Sequence, residues 1–79
     1  MTLASAIYNV RVYTADFHCP YCVRALGLLD RLAIPYTKYI GELPTGLATY
    51  PQIYFGLEHI GGCDELYSLF RNGKLSSYE

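Results

Sequence analysis

Three observations predict an α/β fold with alternating strands and helices. Residues 7–13 are rich in β-branched and aromatic side chains, the composition of a strand. Residues 20–33 space their apolar side chains at helical intervals, and Tyr36 to Ile40 returns to strand composition. Strand, helix and strand in that order predict a right-handed βαβ unit.

The elements follow in turn. Ile7 to Tyr13 reads as the first strand. His18-Cys19-Pro20-Tyr21-Cys22 then stands where strand gives way to helix. Proline suits a first helical turn, where the missing N–H had no intrahelical partner to lose. In the helix, Cys22, Leu26, Leu29 and Ala33 form an apolar stripe that Val23, Ala25 and Leu32 widen. Arg24, Gly27, Asp30 and Arg31 take the other face, where Gly27 costs about 1 kcal/mol against alanine. Pro35 closes the helix, and Tyr36 to Ile40 forms the second strand.

Residues 41–49 have room for no more than a short helical turn. Gln52 to Phe55 and Leu57 to Ile60 read as a hairpin about Gly56. Gly61-Gly62 interrupts the chain, and a last helix runs from Cys63 or Asp64 to Arg71. Its stripe is Cys63, Leu66, Tyr67 and Phe70, and Asn72-Gly73 ends it. The tail 74–79 is expected to fray. No repeat or low-complexity tract interrupts what reads as a single domain over residues 1–79.

Composition narrows the function. A hydrophobic fraction of 52% in 79 residues argues for a small packed core and against disorder. A net charge of −1 with both signs scattered implies neither a nucleic-acid footprint nor a basic membrane patch. Three cysteines are too few, and odd in number, for a secreted disulfide framework. Met-Thr-Leu-Ala-Ser-Ala at the start lacks the basic and long apolar regions of a signal peptide, and no stretch reaches membrane-spanning length. A reducing, cytoplasmic setting is the expectation.

The cysteine spacing carries the chemistry. Cys19 falls at the N-terminal edge of the helix and Cys22 one turn further in, facing the core. Side chains at i and i+3 share a helix face, close enough for a disulfide. Unpaired N–H groups and the helix dipole favour an anion at Cys19. Thiol pKa values in such motifs fall from about 8.5 to roughly 3.5–7.5. The larger thiolate fraction is nearly offset by lower intrinsic nucleophilicity, whose Brønsted slope is about 0.4–0.5. What survives is the ease with which that sulfur leaves a mixed disulfide, so the pair suits turnover. The competing readings are half of a four-ligand zinc site, completed by Cys63, His18 and His59, and two inert thiols.

Other residues offer binding groups. His18, beside Cys19, could steady a thiolate as a cation or be a plain exposed histidine. Tyr50-Pro51 follows a loop and opens a strand; a cis bond there would free the Tyr50 backbone for pairing with a peptide, and the alternative is an ordinary edge-strand start. Gly62-Cys63-Asp64 opens a helix, whose N–H groups can receive a carboxylate while Asp64 pairs with an amine. Equally, Asp64 could be only an N-cap. Of the nine tyrosines, Tyr21 is singled out because it lies inside the cysteine motif.

Taken together, Cys19-Pro20-Tyr21-Cys22-Val23-Arg24-Ala25, Thr49-Tyr50-Pro51-Gln52-Ile53-Tyr54 and His59-Ile60-Gly61-Gly62-Cys63-Asp64-Glu65-Leu66 resemble the three signature segments of glutaredoxins, in family order. The resemblance implies a thioredoxin-like fold, a four-stranded mixed sheet flanked by helices, here with a shortened second helix. It implies a glutathione-dependent thiol–disulfide oxidoreductase acting on disulfide-containing or glutathionylated proteins. Glutathione would be the co-substrate, with no resident metal, and the protein would act as a monomer without nucleic-acid or membrane partners. Cys19 would be the nucleophile and Cys22 the resolving thiol. Tyr50 would pair through its backbone with the cysteinyl unit of glutathione beside a cis-Pro51, Thr49 would be a further glutathione-binding residue, Cys63 and Asp64 would hold the γ-glutamyl end, and Tyr21 would flank the ligand.

Two departures from the family pattern bear on the glycyl carboxylate. Asp16 stands where members commonly carry lysine or arginine, and the 41–49 segment is short. Weaker glutathione affinity is therefore expected, with His18 or Lys38 as the cations able to compensate. Two rival readings share the motif. In one, Cys19 and glutathione from two subunits hold an iron–sulfur cluster. In the other, the chain is the dedicated electron donor to one reductase, such as ribonucleotide reductase.

Overall fold

A computed structural model describes residues 9–75, so Ile7, Tyr8, the six N-terminal residues and the last four of the tail lie outside the described residues. Strand β1 spans Val10–Thr14 and alternates buried with half-buried side chains, as a strand with one face on a core must. Helix α1, Pro20–Arg31, follows, then strand β2, Tyr36–Ile40. Strands β3, Gln52–Phe55, and β4, Glu58–Gly61, form the hairpin, and helix α2, Cys63–Arg71, completes the order.

The strands make one mixed sheet in the order β2-β1-β3-β4. β1 and β2 run parallel, with Val10 opposite Tyr36, which is the pairing a βαβ crossover produces. β3 is antiparallel to both β1 and β4. Val10, Val12, Ile53 and Phe55 meet Ala25, Leu28 and Leu29 of α1 and Cys63 and Leu66 of α2 in a single core. Between β2 and β3, where the shortened helix was expected, the chain makes one turn, closed by the Leu47 N–H donating to the Pro44 carbonyl at 3.2 Å.

The opposite face of the sheet is built differently. Tyr39 stacks on Tyr13 at 4.9 Å between centroids, Tyr13 meets Tyr54 edge-on at 5.8 Å, and Tyr54 stacks on His59 at 4.7 Å. The Arg11 guanidinium lies 4.7 Å over the Tyr54 ring and donates to the Tyr13 hydroxyl and the Gly56 carbonyl. One aromatic ladder thus crosses all four strands, adding cross-strand contacts to the backbone pairing.

Several boundaries differ from the sequence reading. α1 ends at Arg31 rather than residue 33, because Ala33 adopts a left-handed φ of 58°. The Ala33 N–H donates to the Asp30 carbonyl and the Ile34 N–H to the Leu29 carbonyl, a Schellman closure that stops the helix before Pro35 acts. Ala33 is accordingly exposed and leaves the expected stripe. Val23, expected to widen that stripe, is 65% exposed, while Leu28 takes its place in the core. On α2, Phe70 is exposed and Leu69 packs on the core instead. Leu57 occupies the hairpin turn rather than β4. The start of the tail is not frayed: the Lys74 N–H closes α2 onto Leu69, and Leu75 is buried in the core.

Candidate functional site

Cys19 is the N-cap of α1, with extended backbone at φ −142° and ψ 93°. Its sulfur accepts the Cys22 N–H at 3.3 Å, one of the donors a helix start leaves without an intrahelical partner. The sulfurs of Cys19 and Cys22 lie at disulfide distance, with the Cα atoms 5.3 Å apart, inside the range a disulfide spans. Cys22 is 5% exposed and faces the core, whereas Cys19 is half-buried at the surface. Proline at the first helical position follows the N-cap directly, so the local sequence alone fixes this corner. His18 is exposed beside it.

Next to this corner opens a cleft of about 510 Å³. Tyr21, Thr49, Tyr50, Pro51, Cys63 and Asp64, all singled out in the sequence, line it together. Three elements converge there: the first turn of α1, the segment entering β3, and the N-terminus of α2. The Tyr50–Pro51 peptide bond is cis, and Pro51 is buried. The Tyr50 ring meets Phe17 edge-on at 6.0 Å, joining this segment to the loop before Cys19.

Glycines bring α2 up against Pro51. A Cβ on Gly62 would stand 3.2 Å from the Pro51 carbonyl oxygen, tighter than a side chain ordinarily allows. Gly61, at φ +122°, sits where β4 bulges, and a Cβ there would meet the Glu65 side chain at 2.8 Å. Gly62 is the N-cap of α2, and its N–H donates to the Glu65 carboxylate at 2.8 Å. Asp64 is therefore not the N-cap. It is an exposed residue of the first turn, within reach of a ligand in the cleft.

The binding residues expected from the sequence leave out three polar residues of this cleft, of which His59 is weighed only as a zinc ligand. Gln52, only 7% exposed, donates through Nε2 to the Thr49 carbonyl at 2.9 Å and to its hydroxyl at 3.0 Å. Its Oε1 lies 2.7 Å from Nε2 of His59; an amide oxygen only accepts, so that histidine nitrogen carries the proton. Gln52 thus ties the two walls of the cleft together. The signal was present: a polar side chain directly after Pro51, in a run otherwise apolar, needs buried partners. Glu65, the third, belongs to the helix cap.

Burial raises the Cys63 thiol pKa above its ordinary value, with Asp64 and Glu65 adding to the shift and Arg24 opposing it. Cys63 consequently stays protonated near neutral pH and does not compete as a nucleophile. Among the described residues no group of three or more His, Cys, Asp or Glu side chains that could hold a metal ion is assembled. Among them, too, no helix is long and apolar enough to cross a membrane.

The chain is 40% identical to a glutaredoxin of Pseudomonas aeruginosa over 78 residues, covering 86% of this chain and 92% of the relative. It belongs to the glutaredoxin family. The fold agrees: the solution structure of a glutaredoxin from Brucella melitensis matches with a TM-score of 0.73 at 35% identity, covering 87% of this chain and 85% of that one. A crystal structure of a buckwheat glutaredoxin–glutathione complex matches with a TM-score of 0.75 at 28% identity, over 91% of this chain and 78% of that one. No family model matches the chain. Membership supports a thiol–disulfide oxidoreductase role, and the four-stranded mixed sheet with two helices is thioredoxin-like.

Proposed function

We propose that this glutaredoxin is a glutathione-dependent thiol–disulfide oxidoreductase, reducing glutathione mixed disulfides and protein disulfides as a monomer in the cytoplasm. The observation that carries the reading is the Cys19–Cys22 pair at the mouth of α1, beside a cleft that joins the Tyr50–Pro51 segment to the N-terminus of α2. The Cys22 N–H at 3.3 Å supplies a donor to the Cys19 sulfur as it gains charge. The same donor assists when that sulfur must leave a mixed disulfide.

In this reading the Cys19 thiolate attacks the glutathionyl sulfur of a mixed disulfide. A Cys19–glutathione disulfide forms, and the other thiol departs with the electron pair. The glutathione backbone pairs with Tyr50, its γ-glutamyl carboxylate meets the first N–H groups of α2, and its amine pairs with Asp64. Tyr21 flanks the tripeptide. A second glutathione, or Cys22, then discharges Cys19. For a protein disulfide, Cys22 attacks the Cys19–protein bond from one helical turn beneath. The buckwheat complex supports glutathione as the ligand.

The two thiols therefore have separable tasks. Cys22→Ser is expected to retain deglutathionylation and to lose most reduction of protein disulfides, whereas Cys19→Ser loses both. Assays of each variant on a small glutathione mixed disulfide and on a protein disulfide read this out. Equal loss of both activities in the two variants would contradict it.

A further inference from the structure

Val23 is a side chain that the helical pattern assigns to the core and the structure places in water, 65% exposed. It sits four residues after Cys19, on the same side of α1, and its N–H donates to the Cys19 carbonyl at 3.1 Å. One further turn along that side is Gly27, where a Cβ would meet nothing within 4 Å. This chain's own packing therefore does not require a glycine there, although glycine costs about 1 kcal/mol in a helix. On the loop before Cys19, Phe17 is likewise 65% exposed. Of six large hydrophobic side chains exposed among the described residues, three (Phe17, Tyr21 and Val23) lie within four positions of Cys19. Such clustering beside a reactive sulfur marks an interaction surface rather than scattered exposure.

The chemistry says what reaches that surface. A mixed disulfide carries two groups, and both must lie near Cys19 when its central bond is exchanged. The cleft takes one of them, and neither Phe17 nor Val23 lines it. The second group must therefore leave the cleft mouth over the residues that surround Cys19 outside it. Resting on the reading above, we infer that Phe17 and Val23, with the bare surface at Gly27, receive the polypeptide part of a glutathionylated protein and select segments whose cysteine is flanked by apolar side chains. In the exchange, the bond between Cys19 and the glutathionyl sulfur forms as the bond from glutathione to the polypeptide breaks. The polypeptide thiolate leaves with the electron pair and takes a proton from water, so Cys19 is oxidised as the polypeptide is reduced. Free glutathione then returns Cys19 to the thiol and departs as glutathione disulfide.

The test uses two synthetic peptides of equal length, each with one glutathionylated cysteine, flanked by leucines in one and by serines in the other. The small mixed disulfide of glutathione and 2-mercaptoethanol is the control. The wild type is expected to favour the leucine peptide about tenfold in kcat/KM, the scale of one modest apolar contact. In Val23→Ser, which leaves the Phe17–Tyr50 contact in place, the two peptides should come within about threefold, while the control substrate keeps its rate. Val23→Leu should keep the preference. Equal rates of the two peptides on the wild type would overturn the inference, as would a preference that survives undiminished in the serine variant. So would loss of the control rate together with the peptide rates, since the side chain would then act on Cys19 itself. Failure of the wild type on all three substrates would instead remove the functional reading on which the inference rests.

Discussion

At Cys63, burial sets the chemistry of a third thiol. Its pKa is raised by desolvation first, with the carboxylates of Asp64 and Glu65 adding to the effect. A group whose pKa is higher in the folded protein binds its proton more tightly there, so the stability it contributes is complete below the unfolded value. That contribution is lost as pH climbs from about 8.5 through the folded value. Urea melts across that alkaline range should show stability falling with pH, and falling less in Cys63→Ala; identical slopes would contradict the assignment. Asp16 is not among the residues that line the cleft. Its carboxylate packs over Gly41, where a Cβ would come 3.3 Å from Oδ2, and it stands three residues before Cys19. Under the proposed function, a carboxylate where the family commonly has a cation would remove an attraction for glutathione and add a repulsion. Asp16→Lys is expected to lower the KM for glutathione several-fold, since one exposed ion pair is worth up to about 1 kcal/mol. An unchanged or higher KM would count against that role.

Among the elements, both helices end in the same closure. After α2, the Gly73 N–H donates to the Phe70 carbonyl and the Lys74 N–H to Leu69, with Gly73 at φ 73°. After α1, Ala33 fills the equivalent left-handed position at φ 58°, where a Cβ costs roughly 1–2 kcal/mol. Glycine escapes that cost and loses part of the gain to its looser unfolded state, so Ala33→Gly should stabilise the fold by about 1 kcal/mol. A thermal melt should show a rise of a few degrees; a lower midpoint would contradict the closure as described. The same position shows where sequence reasoning stops. Asn72-Gly73 announces its helix end because glycine is at home in the left-handed region, whereas Ala-Ile-Pro hides one, so only the proline was read. Val23 was misassigned for a related reason. An apolar residue at a boundary angle of α1 fits a widened stripe by periodicity, and only the position of the sheet decides which edge is buried.

Over the whole molecule, the parallel β1–β2 pairing and the later hairpin were legible because alternating composition and Gly56 specify them locally. Among the candidate site residues, Cys19, Tyr50, Pro51 and Cys63 were legible because each sits at a break between elements, and Cys22 because of its spacing from Cys19. What the chain order could not display was the joining of the cleft walls by Gln52, which depends on β3 and β4 lying side by side so that His59 comes within 2.7 Å. The aromatic ladder was hidden in the same way, as its members come from four separate strands. All of this structure serves to present one sulfur at a helix mouth while its neighbour and Cys63 stay covered. Alkylation of the fully reduced protein with iodoacetamide across pH, with the modified residue located by mass spectrometry, tests that most directly. The account predicts that Cys19 is modified first and reaches half its maximal rate well below the value of about 8.5 for an ordinary thiol, with Cys22 and Cys63 largely spared. Modification of Cys22 or Cys63 ahead of Cys19, or a Cys19 profile matching free cysteine, would contradict it.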